Sequence, residues 1–205
     1  MVHLRTPSEI DKLFEVGQIV KEVLDLMGRM VCEGISTIEL DKAAEDLILM
    51  RGAKPAFKGY HGYPATACIS INNEIVHGIP SARRKLRSGD LVSVDMGAVL
   101  DGWVGDAART FEVGQVSDVA KTLNRVTREA LERAIAQVRP GRRLGDIGYA
   151  VQAHAEAHGF SVVKDFVGHG VGRAMHEDPQ IPNYGTPGTG LSLKPGMVLA
   201  IEPMV

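Results

Sequence analysis

The sequence is poor in cysteine, holding only Cys32 and Cys68. Two thiols in 205 residues make no disulfide framework and suit a reducing, cytoplasmic compartment. Net charge is nearly absent too: 23 Lys and Arg against 25 Asp and Glu leave −2. That excludes a global field that would gather nucleic acid or an acidic membrane surface. No apolar run approaches the roughly 20 residues that cross a bilayer, so no membrane partner is expected. The opening segment, MVHLRTPSEIDKLFEVG, lacks the apolar stretch of a secretory signal. Low-complexity tracts and blocks of like charge are missing as well. What is there, 44% hydrophobic and 23% charged, is the balance of an ordinary globular protein.

The most informative stretch is Leu91 to Phe111, LVSVDMGAVLDGWVGDAARTF. Val92, Val94, Met96 and Ala98 alternate with Ser93, Asp95 and Gly97, the period of a strand. Asp101-Gly102 is a two-residue hairpin signal. With the turn there, Asp95 faces Ala108, and Asp106 becomes the diagonal neighbour of Asp95 on the same face, roughly 7–8 Å away. Two carboxylates so placed can converge on one metal ion or clamp a pair about 3.5–4 Å apart. The hairpin alone leaves open a plainer reading, two turn-flanking aspartates on a solvated face.

Elsewhere the pattern is helical first. Thr6-Pro7-Ser8-Glu9 forms a capping box, and a stripe from Ile10, Leu13 and Phe14 to Met27 predicts a helix to about Val31. Ser36 caps a second helix that runs to about Met50. A loop rich in Gly, Tyr and Pro follows, then short strands are expected at Ala67–Asn72 and Glu74–His77.

The pattern then repeats. Shifted by 107 positions, Glu22, Leu24, Val31, Gly34, Ala43 and Gly52 fall on Glu129, Leu131, Val138, Gly141, Ala150 and Gly159. The run LRSGDLVSVD falls on LKPGMVLAIE, which sets Asp95 on Glu202. The expectation is a single domain, 1–205, made of two helix–helix–strand halves at about 6–113 and 114–205. A pseudo-two-fold axis would bring Asp95 and Glu202 together at the middle of one sheet. The first half follows its acidic strand with Trp103–Phe111. The second has no such partner, so the sequence reads as stopping before its last strands, with Met197–Val205 an unpaired edge.

Between the acidic strands lies Phe166-Val167-Gly168-His169-Gly170-Val171-Gly172. Glycines here let the backbone approach a ligand closely and leave the imidazole reachable; the plain alternative is a glycine loop with a surface histidine. The GxGxxG spacing of a dinucleotide turn fails. Asp95, Asp106, His169 and Glu202 form a mixed oxygen and nitrogen set that suits Mn, Fe, Co or Zn. His77 and His176 sit in loops beside turn residues, where substrate contacts concentrate, though solvated side chains fit equally. His154 and His158, four apart on the predicted helix Leu144–His158, read as surface residues without a function. Cys68 reads as a packed side chain rather than a nucleophile.

The motifs GYHGYPATACISINNEIVHGIP, DMGAVLDGWVGDAARTF, GHGVGRAMHEDPQIPNYG and LKPGMVLAIEPMV resemble those of the type I methionine aminopeptidases, in the pita-bread metallopeptidase family. The resemblance covers the whole chain. It implies an α/β (α+β) pita-bread fold, a curved antiparallel sheet with helix pairs outside. It also implies a metal-dependent enzyme that takes the N-terminal methionine from peptides and nascent chains. Asp95, Asp106, His169 and Glu202 would hold two divalent ions, Co, Mn, Fe or Zn. Glu202, His176 and His77 would be catalytic, with both histidines contacting substrate. Tyr60, Tyr63, Cys68 and Met175 would line a methionine pocket with Phe57 at its rim. A cytoplasmic monomer with a transient ribosome contact is implied.

Phe57 and Met175 depart from the usual type I pattern, which often has a cysteine and an aromatic residue there. The family's fifth ligand, a glutamate on a later strand, lies beyond Val205, so weak activity is expected of the chain as it stands. Two other readings remain: a proline-specific peptidase of this fold, and a fold relative that binds a partner without catalysis.

Overall fold

The computed structural model describes all 205 residues, and the chain falls into two compact units. One holds Asp11–Asp118 with Gly172–Met175; the other holds Met1–Ile10, Val119–Val171 and His176–Val205.

Helix α1, Pro7–Met30, belongs to the first unit from Asp11 onward. Its start is the expected capping box: Glu9 accepts the Thr6 N–H at 2.9 Å and Thr6 Oγ1 accepts the Glu9 N–H at 3.4 Å. Leu13, Val16, Val20, Val23, Leu24 and Met27 are buried along one face. Ile10 and Phe14, expected in the stripe, are exposed instead. Phe14 shares its face with Lys21, two turns on, which points to solvent. Helix α2, Thr37–Met50, starts at a second capping box made by Ser36 and Glu39.

From α2 the Asp41 carboxylate accepts the N–H groups of Thr66 and Ala67, at 3.0 and 2.8 Å. This bond fixes where strand β2, Ala67–Ile71, begins. β2, the short β1 (Lys54–Pro55) and β4 (Trp103–Glu112) all pair antiparallel with β3, Leu91–Leu100. The β3–β4 turn is at Asp101-Gly102, with φ of +51° and +75°, the double positive φ that a tight right-twisted hairpin demands. The expected strand at Glu74–His77 does not form. Asn72 and His77 turn to φ +56° and +62°, and the Glu74 carboxylate bonds back to the Ile71 N–H, closing a turn.

The second unit packs α3 (Asp118–Ile135) and α4 (Leu144–Ala157) over a core of Ala130, Ala134, Ile147, Val151, Ala155 and Ile181. Its sheet has the order β6 (Glu177–Pro182), β5 (Val167–Gly170), β7 (Leu199–Ala200). β7 is far shorter than the expected Met197–Val205. Pro203 has no N–H for a ladder, and the Met204 carbonyl is taken by the Val163 N–H at 2.8 Å. The antiparallel pairing is thus divided between two sheets, one in each unit.

The 107-residue shift holds at the level of single hydrogen bonds. It carries the ends of α2 onto the ends of α4. It carries the isolated bridge Ser36–Lys85 onto Arg143–Ser192. The bond from Leu86 N–H to the Ile35 carbonyl, 2.9 Å, becomes Leu193 N–H to the Arg142 carbonyl, 2.9 Å. Gly34 and Gly141, the turn glycines before each second helix, have φ of +88° and +86°.

Candidate functional site

In the first unit the hairpin register sets Asp95 opposite Ala108 and Asp106 opposite Gly97. The two aspartates are therefore diagonal neighbours on one face, as the alternation predicts. On the other side of β3, Cys68 of β2 is the register partner of Asp95. Burial pushes the Cys68 thiol up to about 11; the nearby carboxylates of Asp95 and Asp106 push the same way, while Tyr63 and the His77 backbone oppose. Cys68 is a buried neutral thiol at ordinary pH, not a nucleophile.

Two loops adjoin strand β2 here. The Tyr63 hydroxyl lies between the carbonyls of Ala67 and Gly78, at 3.0 and 2.9 Å, and shares its proton with them. Burial also raises the Tyr63 phenol well above its ordinary range. Gly78 lies so close to β2 that a Cβ on it would sit 2.2 Å from the Ile69 carbonyl oxygen. The Gly78 carbonyl accepts the Ile69 N–H at 2.8 Å, and its N–H reaches Ser70 Oγ at 3.1 Å. This clasp brings the His77 backbone to the Cys68 sulfur. His77 holds φ +62°, a costly backbone for a residue with a Cβ, and its side chain is exposed.

Met175 arrives from the Gly172–Met175 segment. Its Cε would be 2.9 Å from a Cβ on Gly97, so the missing side chain in mid-strand is what admits it. Glycine inside a strand was the available signal for this approach, and the sequence reasoning did not use it. Phe57 and Tyr60 share one tight turn, Tyr60 N–H to Phe57 carbonyl at 2.9 Å, which leads into Tyr63. Tyr63, Cys68, the His77 loop and Met175 are thus gathered at the carboxylate-bearing face.

In the second unit His169 lies on β5, opposite Ala200 of β7. It is 7% exposed, so the expectation of a reachable imidazole among glycines fails. The glycines serve the strands instead. A Cβ on Gly168 would meet the Ala200 carbonyl at 2.3 Å, and one on Gly170 the Asp178 carbonyl at 2.2 Å. His169 Nδ1–H donates to the Gly170 carbonyl at 2.9 Å, which leaves Nε2 as the basic nitrogen. Nε2 lies 3.1 Å from Glu202 Oε1. The contact lacks hydrogen-bond geometry, and Oε1 is buried without a hydrogen-bond partner. The His176 ring is tilted against that of His169, centroids 4.3 Å apart. An imidazole nitrogen fixed through its far side, beside a buried carboxylate oxygen with no donor, is a donor set that fits a divalent metal ion.

His154 corrects its surface assignment. It is 7% exposed, and its Nε2 is bonded to Glu129 Oε2 at 2.9 Å. Helical spacing alone could not show that α3 would bring a carboxylate there.

Comparison with known proteins places the chain in a family. Residues 11–205 match the description of metallopeptidase family M24. The chain belongs to that family. Over its full length it is 50% identical to a methionine aminopeptidase of Clostridium perfringens, covering 82% of that protein. The crystal structure of a methionine aminopeptidase from Thermotoga maritima superposes with a TM-score of 0.97 over 99% of the chain, at 48% identity and 82% of that structure. A prolidase from Pyrococcus furiosus is more distant, with a TM-score of 0.83 over 98% of the chain, 28% identity and 57% of its own length. The fold is the pita-bread fold of the M24 metallopeptidases, with helix pairs on antiparallel sheets, and the chain is a metal-dependent hydrolase.

Proposed function

We propose that this chain removes the N-terminal methionine from peptides and nascent polypeptides, using Asp95, Asp106, His169 and Glu202 to hold two divalent ions, Co, Mn, Fe or Zn. The observation that carries the reading is the face shared by Cys68, Asp95 and Asp106, with Met175 seated over Gly97. Full-length identity of 50% to a protein named methionine aminopeptidase supports the substrate class.

Bound there, the ions would lower the pKa of a water and polarise the scissile carbonyl. The remaining work falls to the chain's own groups. Glu202 accepts the proton of the attacking water. His176 donates to the carbonyl oxygen as charge develops on it, and His77 contacts the scissile amide. Tyr60, Tyr63, Cys68 and Met175 wall the side-chain pocket, with Phe57 at the rim. Aromatic and sulfur walls suit the unbranched, polarisable side chain of methionine. The un-ionised Cys68 thiol keeps that pocket apolar. The protein acts as a cytoplasmic monomer and meets nascent chains through a transient ribosome contact; no helix is long and apolar enough to cross a membrane.

The test is a peptide panel. Met-Ala-Ser should release methionine, Ala-Pro peptides should stay intact, and a bulky second residue should block release. Cleavage of Ala-Pro in preference to Met-Ala would assign the chain to the proline-specific branch. No cleavage of any peptide would leave it a binding relative.

A further inference from the structure

The second unit carries a cluster of metal-binding side chains far in sequence from the proposed catalytic residues. Glu129 of α3 and His154 and His158 of α4 each offer one ligand atom, all within 4.8 Å of one another. The histidines stand one helical turn apart, the spacing at which side chains meet on a helix surface. Their rings are edge to face, centroids 4.5 Å apart. His158 Nδ1 lies 2.9 Å from the His154 carbonyl. An Nδ1–H donated there leaves Nε2 with its lone pair outward, the arrangement that prepares a histidine to bind metal.

The other copy of the repeat gives an independent argument. The positions matching Glu129, His154 and His158 are Glu22, Leu47 and Arg51. In that copy Arg51 Nε donates to Glu22 at 2.6 Å, an ordinary ion pair across the two helices. The second copy keeps the carboxylate, ties its Oε1 to Arg125 of the same helix at 2.7 Å, and sets two imidazoles at the positions of Leu47 and Arg51. Glu129 Oε2, the oxygen turned toward the histidines, has His154 Nε2 as its partner at 2.9 Å. Both imidazoles also line a cavity of about 610 Å³, together with Arg133, Arg142, Asp146 and Tyr149.

We infer that Glu129, His154 and His158 form a second divalent-metal site that bridges α3 and α4, selective for Zn, Ni or Cu(II). Two nitrogens and one carboxylate oxygen are the donors those ions prefer. The ion takes the place of the proton now held between His154 Nε2 and Glu129. Tetrahedral bonds of about 2.1 Å set ligand atoms about 3.4 Å apart, so small side-chain rotations close the site from its present spacing. Solvent from the cavity completes the coordination. The bridge ties the helix pair and stabilises the unit.

Equilibrium dialysis of the full chain against zinc tests the assignment. His158→Ala changes an exposed side chain and should lose one equivalent of bound zinc. His169→Ala, at the proposed catalytic centre, should keep that equivalent, which separates the two sites. Zinc at about a hundredfold excess over Kd should raise the Tm of His169→Ala, whose catalytic centre is impaired, by roughly 5 °C, and adding His158→Ala should abolish that rise. Should His158→Ala fail to fold, anomalous scattering at the zinc edge from unaltered crystals decides, with a peak expected between Glu129 and the two histidines. Unchanged zinc stoichiometry in a folded His158→Ala protein, or a map without that peak at saturating zinc, overturns the inference.

Discussion

Nε2 of His169 lies 3.1 Å from Oε1 of Glu202, yet no hydrogen bond joins them and the carboxylate oxygen is buried without a donor. A buried polar atom left so costs about 1–3 kcal/mol. The protein carries that cost at the position the repeat matches to Asp95. Glu202→Gln should therefore leave the metal-free protein as stable as before, or more so, while reducing kcat by about 10²–10⁴ through loss of the base. Thermal melts in chelator, set beside turnover of Met-Ala-Ser, check both halves. A metal-free variant that melts several degrees lower would mean the carboxylate is a structural partner instead.

The glycines around His169 are predicted to be structural. A methyl group at 168 or 170 would enter the Ala200 or Asp178 carbonyl. Gly168→Ala and Gly170→Ala should each destabilise by about 2–3 kcal/mol, at the upper end for overpacking, because backbone is what must move. Urea unfolding measures this. If both variants keep full stability but lose activity, the glycines belong to ligand approach, as the sequence alone suggested.

Cys68 and Cys32 should differ sharply in reactivity. Cys32 is exposed, while Cys68 is buried with its thiol raised to about 11. The sign is that of an acid whose neutral form is favoured by burial: at pH 9 only about 1% is thiolate, and the fraction grows tenfold per pH unit up to the pKa. Iodoacetamide at pH 8 followed by peptide mass spectrometry should find Cys32 alkylated and Cys68 intact. Alkylation of both at similar rates would show Cys68 to be an open, activated thiol.

Much of this was legible in the sequence, and the failures have common physical causes. The Asp95–Asp106 diagonal followed from a two-residue turn and strict alternation, both local signals. The repeat was read from a handful of identities and is carried by shared backbone bonds, since Ser36–Lys85 and Arg143–Ser192 form the same bridge from dissimilar side chains. Phe14 was misplaced because apolar character does not say which way a helix faces. Glu74–His77 looked like a strand, but the positive φ at Asn72 and His77 is set by packing of the Gly78 loop on β2. His154 could not be judged without Glu129, a residue 25 positions away on another helix. Tertiary partners, not local propensity, decided these cases.

Met175 is predicted to act through packing on Gly97. Met175→Ala removes the side chain that fills the space above mid-β3 and should raise KM for Met-Ala-Ser about tenfold or more while kcat falls less. Steady-state kinetics separate the two terms. A fall in kcat with KM unchanged would place Met175 away from the substrate side chain.

The most direct test is methionine release from Met-Ala-Ser by the purified chain as divalent metal is removed and returned, with bound metal quantified in the same samples for the unaltered protein and for His169→Ala. The account predicts that release disappears with the metal and returns when Co or Mn is restored. In His169→Ala, bound metal and activity should fall together. Methionine release that persists after the metal is gone, or His169→Ala retaining both metal and turnover, would contradict it.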